Sequence, residues 1–136
     1  MKIFICCSKH LYNKVPEIKK ELEKLGHKIT LPNSYEEPFK EEEIKRLSRE
    51  EHSKWKGEMI KLQIVKVKLN DAVLVLNYEK NGVKNYIGGA TFLEMFRAWE
   101  LGKKLFLINP IPENILKDEI VGFNPIELNG DLSKIR

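Results

Sequence analysis

The run "DAVLVLN" (71–77) constrains this chain more than any other stretch. Successive side chains of a strand point to opposite faces, so a half-exposed strand alternates apolar and polar residues. A strand that is apolar at every position must be covered on both faces, as the central strands of a parallel sheet are. "KIFICC" (2–7) and "KLFLIN" (104–109) repeat the pattern, "HKITLP" (27–32) is a weaker version, and "PIEL" (125–128) reads as a short last strand.

Helical stretches separate these strands. "VPEIKKELEKLG" (15–26) carries Pro16 in its first turn and Gly26 at its end. Residues 41–69 place Ile44, Leu47, Trp55, Met59, Ile60 and Ile64 at about helical spacing and predict one long charged helix. A further helix is expected over 90–101, and one or two helical turns within "PIPENILKDEI". Strands alternating with helices imply right-handed crossovers and a sheet covered on both sides. The expectation is a single α/β domain over 1–136. It would be a small flavodoxin-like or Rossmann-like three-layer fold with four to five mainly parallel strands.

Composition narrows the function. Apolar residues make up 42% and charged residues 32%, so the chain can form a core and is not disordered throughout. No apolar run reaches the roughly 18–20 residues of a membrane span, and the N-terminus lacks a signal-peptide pattern. A cytoplasmic protein with no membrane partner is expected. The charge of +4 comes from 20 Lys and 4 Arg against 20 acidic residues, mostly interleaved. Interleaving argues for solvated helix faces and against a nucleic-acid surface. Cys6 and Cys7 are adjacent, a spacing that disfavours a disulfide, and no third Cys completes a thiolate metal site.

In an open parallel sheet, ligands sit at the carboxyl ends of the strands. That points to the loops "SKHLYN", "NSYEEPF", "NYEKNGVKNYIGG" and "NPIPE". Gly88 and Gly89 permit positive φ and close backbone approach, and the helix they open offers free N–H groups to an anion; a turn with no ligand fits equally. On that helix Glu94 falls between an apolar arc (Thr91, Phe92, Met95, Phe96, Trp99) and a polar side, next to Ala90, Ala98 and Leu101. It is either a border residue paired with Arg97 or a carboxylate with room for a ligand. Ser8 and Lys9 are candidates for a hydroxyl and a phosphate, with a solvated surface charge as the alternative for Lys9. The loop is too poor in Ser and Thr for FMN, so no cofactor is expected. His10, His27 and His52 are scattered without metal-ligand spacing, and no G-x-S-x-G elbow occurs. The acidic run in "YEEPFKEEE" reads as a solvated helix start.

"NDAVLVLNYEKNGVKNYIGGATFLEMFRAWELGKKLFLINP" resembles the nucleoside 2-deoxyribosyltransferase superfamily, which includes deoxynucleoside 5′-monophosphate N-glycosidases. Asp71, Gly88, Gly89, Glu94, Ala98, Gly102 and Lys103 occupy the frame of that resemblance, which covers most of 1–110. It implies that Glu94 is a nucleophile attacking C1′ of a deoxyribose to form a covalent glycosyl intermediate, resolved by water or by a second base. The partner it implies is a nucleoside or nucleotide, and the assembly a homo-oligomer. Many family members carry an Asp eight residues before the strand-opening Asp; this chain has Gln63 there, suited to orienting a substrate but not to donating a proton. Lys56, seven residues upstream on roughly the same helix face, is a candidate for a 5′-phosphate. Asn77, at the end of the third strand, is a candidate contact to sugar or base; for Lys56 and Asn77 alike a purely structural role fits equally.

Overall fold

A computed structural model describes residues 1–136. The apolar runs form the strands β1 (Lys2–Cys6), β2 (Lys28–Thr30), β3 (Ala72–Val75), β4 (Lys104–Leu107) and β5 (Ile126–Glu127). They lie in the order β2-β1-β3-β4-β5, with every neighbouring pair parallel. This is the flavodoxin-like order, with its switch point between β1 and β3. The connecting helices are α1 (Val15–Lys24), α2 (Lys40–Leu47), α3 (Arg49–Leu69), α4 (Gly89–Glu100) and α5 (Lys117–Phe123). No helix is long and apolar enough to cross a membrane.

The continuous apolar strands do what their pattern demands. Ile3, Ile5, Leu74 and Phe106 face α1 and the C-terminal segment, where Val15, Leu22, Leu128 and Ile135 complete one core cluster. Phe4, Cys6, Val73, Val75 and Leu107 face the other way, against Val67 of α3, Met95 and Ala98 of α4 and Ile120 of α5. Each fully buried side chain of this size contributes about 1.5–3 kcal/mol from removal of apolar surface from water.

Side chains fix the two ends of the sheet. At the amino end, the Asp71 carboxylate accepts the Lys2 N–H at 2.8 Å, which locks β1 against β3 and holds the carboxyl below its ordinary pKa. At the carboxyl end Asn77, fully buried, donates to the carbonyls of Asn109 and Pro110 at 3.0 Å and accepts the Asn109 N–H at 2.9 Å. Asn77 is therefore a clip joining the segments that leave β3 and β4.

The single long helix expected over 41–69 is two helices. Ser48 adopts an extended backbone (φ −173°, ψ 164°), and its side chain accepts the Glu51 N–H at 3.0 Å, capping α3. The chain reverses there, and α2 folds back along α3. "SREE" carries the Ser-x-x-Glu spacing of a capping box, a local signal that outweighs continuous helical periodicity. Replacing Ser48 with Ala removes the cap and is expected to cost about 1 kcal/mol. Thermal unfolding should fall by about 3–5 °C, on the scale set by domains of this size. An unchanged midpoint would mean that α2 packing alone sets the break.

Candidate active site

One cleft of about 620 Å³ opens at the carboxyl ends of β1, β2 and β3, beside the switch point. Cys7, Ser8, Lys9, His10 and Tyr12 enter it from the segment after β1. Pro32, Asn33 and Ser34 follow β2, Glu41 comes from α2, and Trp55, Lys56, Met59, Ile60 and Gln63 line the facing side of α3. Pro38, Lys80, the N-cap Gly88 and the first residues of α4, Gly89 to Glu94, close the remainder. The topology thus brings together Ser8, Lys9, Lys56, Gln63, Gly88, Gly89 and Glu94, and leaves Asn77 outside.

Glu94 is 5% exposed and belongs to the inner face of α4 with Thr91, Met95 and Ala98. The expected border position is corrected: Phe96 and Trp99 turn outward instead and stack with Phe123 at ring separations of 6.4 and 5.9 Å. Arg97 pairs with Glu100, so the surface ion pair proposed for Glu94 does not form. Burial drives the Glu94 pKa from an ordinary 4.5 to about 8, while the Cys6 thiol, Lys66, Lys56 and the Gln63 amide oppose the rise. Lys66, half-buried on α3, is itself lowered by burial and held up in part by Glu94.

The neighbours of Glu94 are neutral or already engaged. Both cysteines are free thiols; burial and the Glu94 charge raise Cys6 and push Cys7 up to about 12, so neither is a thiolate nucleophile at neutral pH. The Gln63 amide donates to the Ala90 carbonyl at 3.0 Å and ties α3 to the first turn of α4. Lys9 ion-pairs with Glu42, and Lys56 with Glu41 at 3.2 Å. Ser8 caps a 3-10 turn over Lys9–Lys14 by accepting the His10 N–H at 3.4 Å. No three His, Cys, Asp or Glu side chains converge as a metal site requires.

Neither glycine uses positive φ: Gly88 sits at φ −85°, and Gly89 is helical. Their contribution is missing bulk. A Cβ on Gly88 would stand 3.3 Å from the Tyr86 hydroxyl, and one on Gly89 would project into open space. The first turn of α4 has no side-chain cap, so its leading N–H groups face the cleft without helical acceptors.

Glu41 was hidden in the acidic run that reads as solvated surface. Its carboxylate lines the cleft because α2 folds back at Ser48, and it accepts from His52 Nε2 at 2.9 Å as well as from Lys56. His52 and Lys56, one helical turn apart on α3, were the available signal.

Fold and cleft together define a small flavodoxin-like α/β protein whose cleft contains a buried carboxyl group. Comparisons with family models, curated proteins and solved structures find no match to this chain.

The Glu94 shift has a stability consequence of definite sign. The folded state holds this proton up to pH about 8, whereas the unfolded chain releases it near 4.5. Stability therefore declines across that window, by at most about 1.4 kcal/mol per pH unit from this group. Glu94→Gln removes the decline. Its melting temperature should exceed wild type by a margin that widens from pH 5 to pH 8. Parallel pH profiles for the two proteins would contradict the burial assignment.

Proposed function

We propose that this protein cleaves the N-glycosidic bond of deoxynucleosides or their 5′-monophosphates through a covalent intermediate on Glu94. The observation that carries the reading is a buried carboxyl group in a cleft at the sheet's switch point, beside an uncapped, glycine-opened helix N-terminus. The resemblance to the nucleoside 2-deoxyribosyltransferase superfamily supplies the reaction.

In that reaction a Glu94 oxygen forms a bond to C1′ as the C1′–N bond breaks. The electron pair leaves with the base, which takes up a proton from solvent. Water or an acceptor base then attacks C1′ and returns the electron pair to Glu94. Burial serves this chemistry by keeping the carboxylate poorly solvated once ionised, and Lys66 and Lys56 favour the ionised form. A 5′-phosphate would meet Ser8, Lys9, Lys56 and the leading amides of α4. Cytoplasmic location and a homo-oligomer belong to the same reading.

A second reading is a nucleotide-binding module without turnover. It is favoured by Gln63, whose amide is engaged with Ala90 and supplies no acid for the leaving base.

Free-base release from a panel of deoxynucleosides and deoxynucleoside monophosphates separates the two. Wild type should release base, and Glu94→Ala should lose about 10³-fold or more, the scale on which removing a nucleophile acts. Binding in a thermal-shift assay without release would select the binding module. The pH profile gives an independent check. Only ionised Glu94 attacks, so kcat/KM should climb about tenfold per pH unit below pH 8 and level off above it. A profile flat from pH 6 to 9 would remove Glu94 as the titrating nucleophile.

A further inference from the structure

The cleft contains a second carboxylate whose surroundings are the opposite of those of Glu94. Glu41 stands in the first turn of α2 and lines the same cavity. Its Oε2 accepts from His52 Nε2 at 2.9 Å and from Lys56 Nζ at 3.2 Å, while Oε1 has only a longer 3.4 Å contact to Lys56. Burial raises its pKa, but His52, Lys56 and the Lys45 charge together outweigh burial and hold the carboxyl below its ordinary value. Lys56 links the two acids, since it ion-pairs with Glu41 and its charge also favours ionised Glu94. His52 lies outside the cleft lining with 28% of its side chain exposed, so the Glu41–His52 pair runs from the cavity toward solvent.

We infer that Glu41 is the general base for the second half of the reaction, which makes this cleft one that hydrolyses its glycosyl ester. The inference rests on the glycosidase reading above. Water attacks C1′ of the sugar held on Glu94, and the C1′–O bond breaks with its electron pair returning to the Glu94 carboxylate. The proton lost by the water goes to Glu41, which releases it to solvent. The water thus gains a bond to carbon, Glu94 regains its charge, and no oxidant or further reactant is needed. Glu41 suits the role because it shares the cavity with Glu94 and keeps Oε1 free of any contact but the 3.4 Å one to Lys56. His52 is a positioning residue that orients the carboxylate. The Ser48 break acquires a purpose on this account, since a continuous helix would not fold α2 back over α3.

Pre-steady-state base release with a deoxynucleoside monophosphate tests this. Wild type should turn over steadily. Glu41→Gln should release about one equivalent of base in a burst and then slow by about 10²-fold or more, the usual contribution of general base catalysis. Azide, a nucleophile that needs no deprotonation, should restore turnover of Glu41→Gln and yield a glycosyl azide. His52→Asn should show the same burst with a milder slowing, which keeps the test alive should Glu41→Gln fail to fold. Wild-type rates in both variants, loss of the burst itself, or no rescue by azide would each overturn the role of Glu41. Absence of base release from wild type would instead sink the glycosidase reading, and this inference with it.

Discussion

The parallel sheet is covered on both faces, and that constraint decides where chemistry can occur. Every side chain of β1 from Ile3 to Cys6 and of β3 from Ala72 to Val75 is removed from water. No polar ligand can reach the middle of such strands, so the polar work falls to their ends. The two ends are not equivalent. Asp71 closes the amino end by pairing with the backbone of β1. At the carboxyl end the chain diverges to either side of β1, and the crevice left there is the cleft.

Glu94 is the one acidic side chain that this arrangement buries. An unpaired carboxylate in such a place is costly, and the protein meets the cost by protonating it, not by neutralising it with a contacting cation. A residue kept for stability alone would be better replaced by an uncharged one. Retaining an acid there makes sense when its ionised form is needed for a step that water would otherwise weaken. Glu41 supplies the contrast: two carboxyl groups share one cavity, one shifted up by burial and the other down by His52 and Lys56. Two acids driven apart in this way are suited to different steps of the proposed reaction.

Much of the fold was legible because apolar periodicity reports burial directly. All five strands fell within the stretches read for them, and α1 and α4 began and ended within about two residues of their expected limits. The site was legible in part. Strand-end loops follow from topology, which located Ser8, Lys9 and the glycine turn, and Glu94 stood out among apolar neighbours. Other features depend on packing that a one-dimensional pattern does not carry. Whether Glu94 or Trp99 faces the core turns on how α4 is rotated against the sheet, and Phe123 of α5 draws the aromatic side outward. The Asn77 side chain is taken up by Asn109 and Pro110, partners that its place in the sequence does not show. Glu41 reaches the cleft only because the chain folds back at Ser48.

The proposed chemistry stands or falls on a covalent bond between Glu94 and the anomeric carbon. Peptide mass mapping addresses it most directly, after brief mixing of the protein with a deoxynucleoside monophosphate whose sugar carries a 2-fluoro group to slow release. A glycosyl adduct confined to the peptide that contains Glu94, and absent in Glu94→Gln, is the expected result. Base release from the ordinary substrate with no adduct on Glu94, or an adduct located elsewhere, would contradict it.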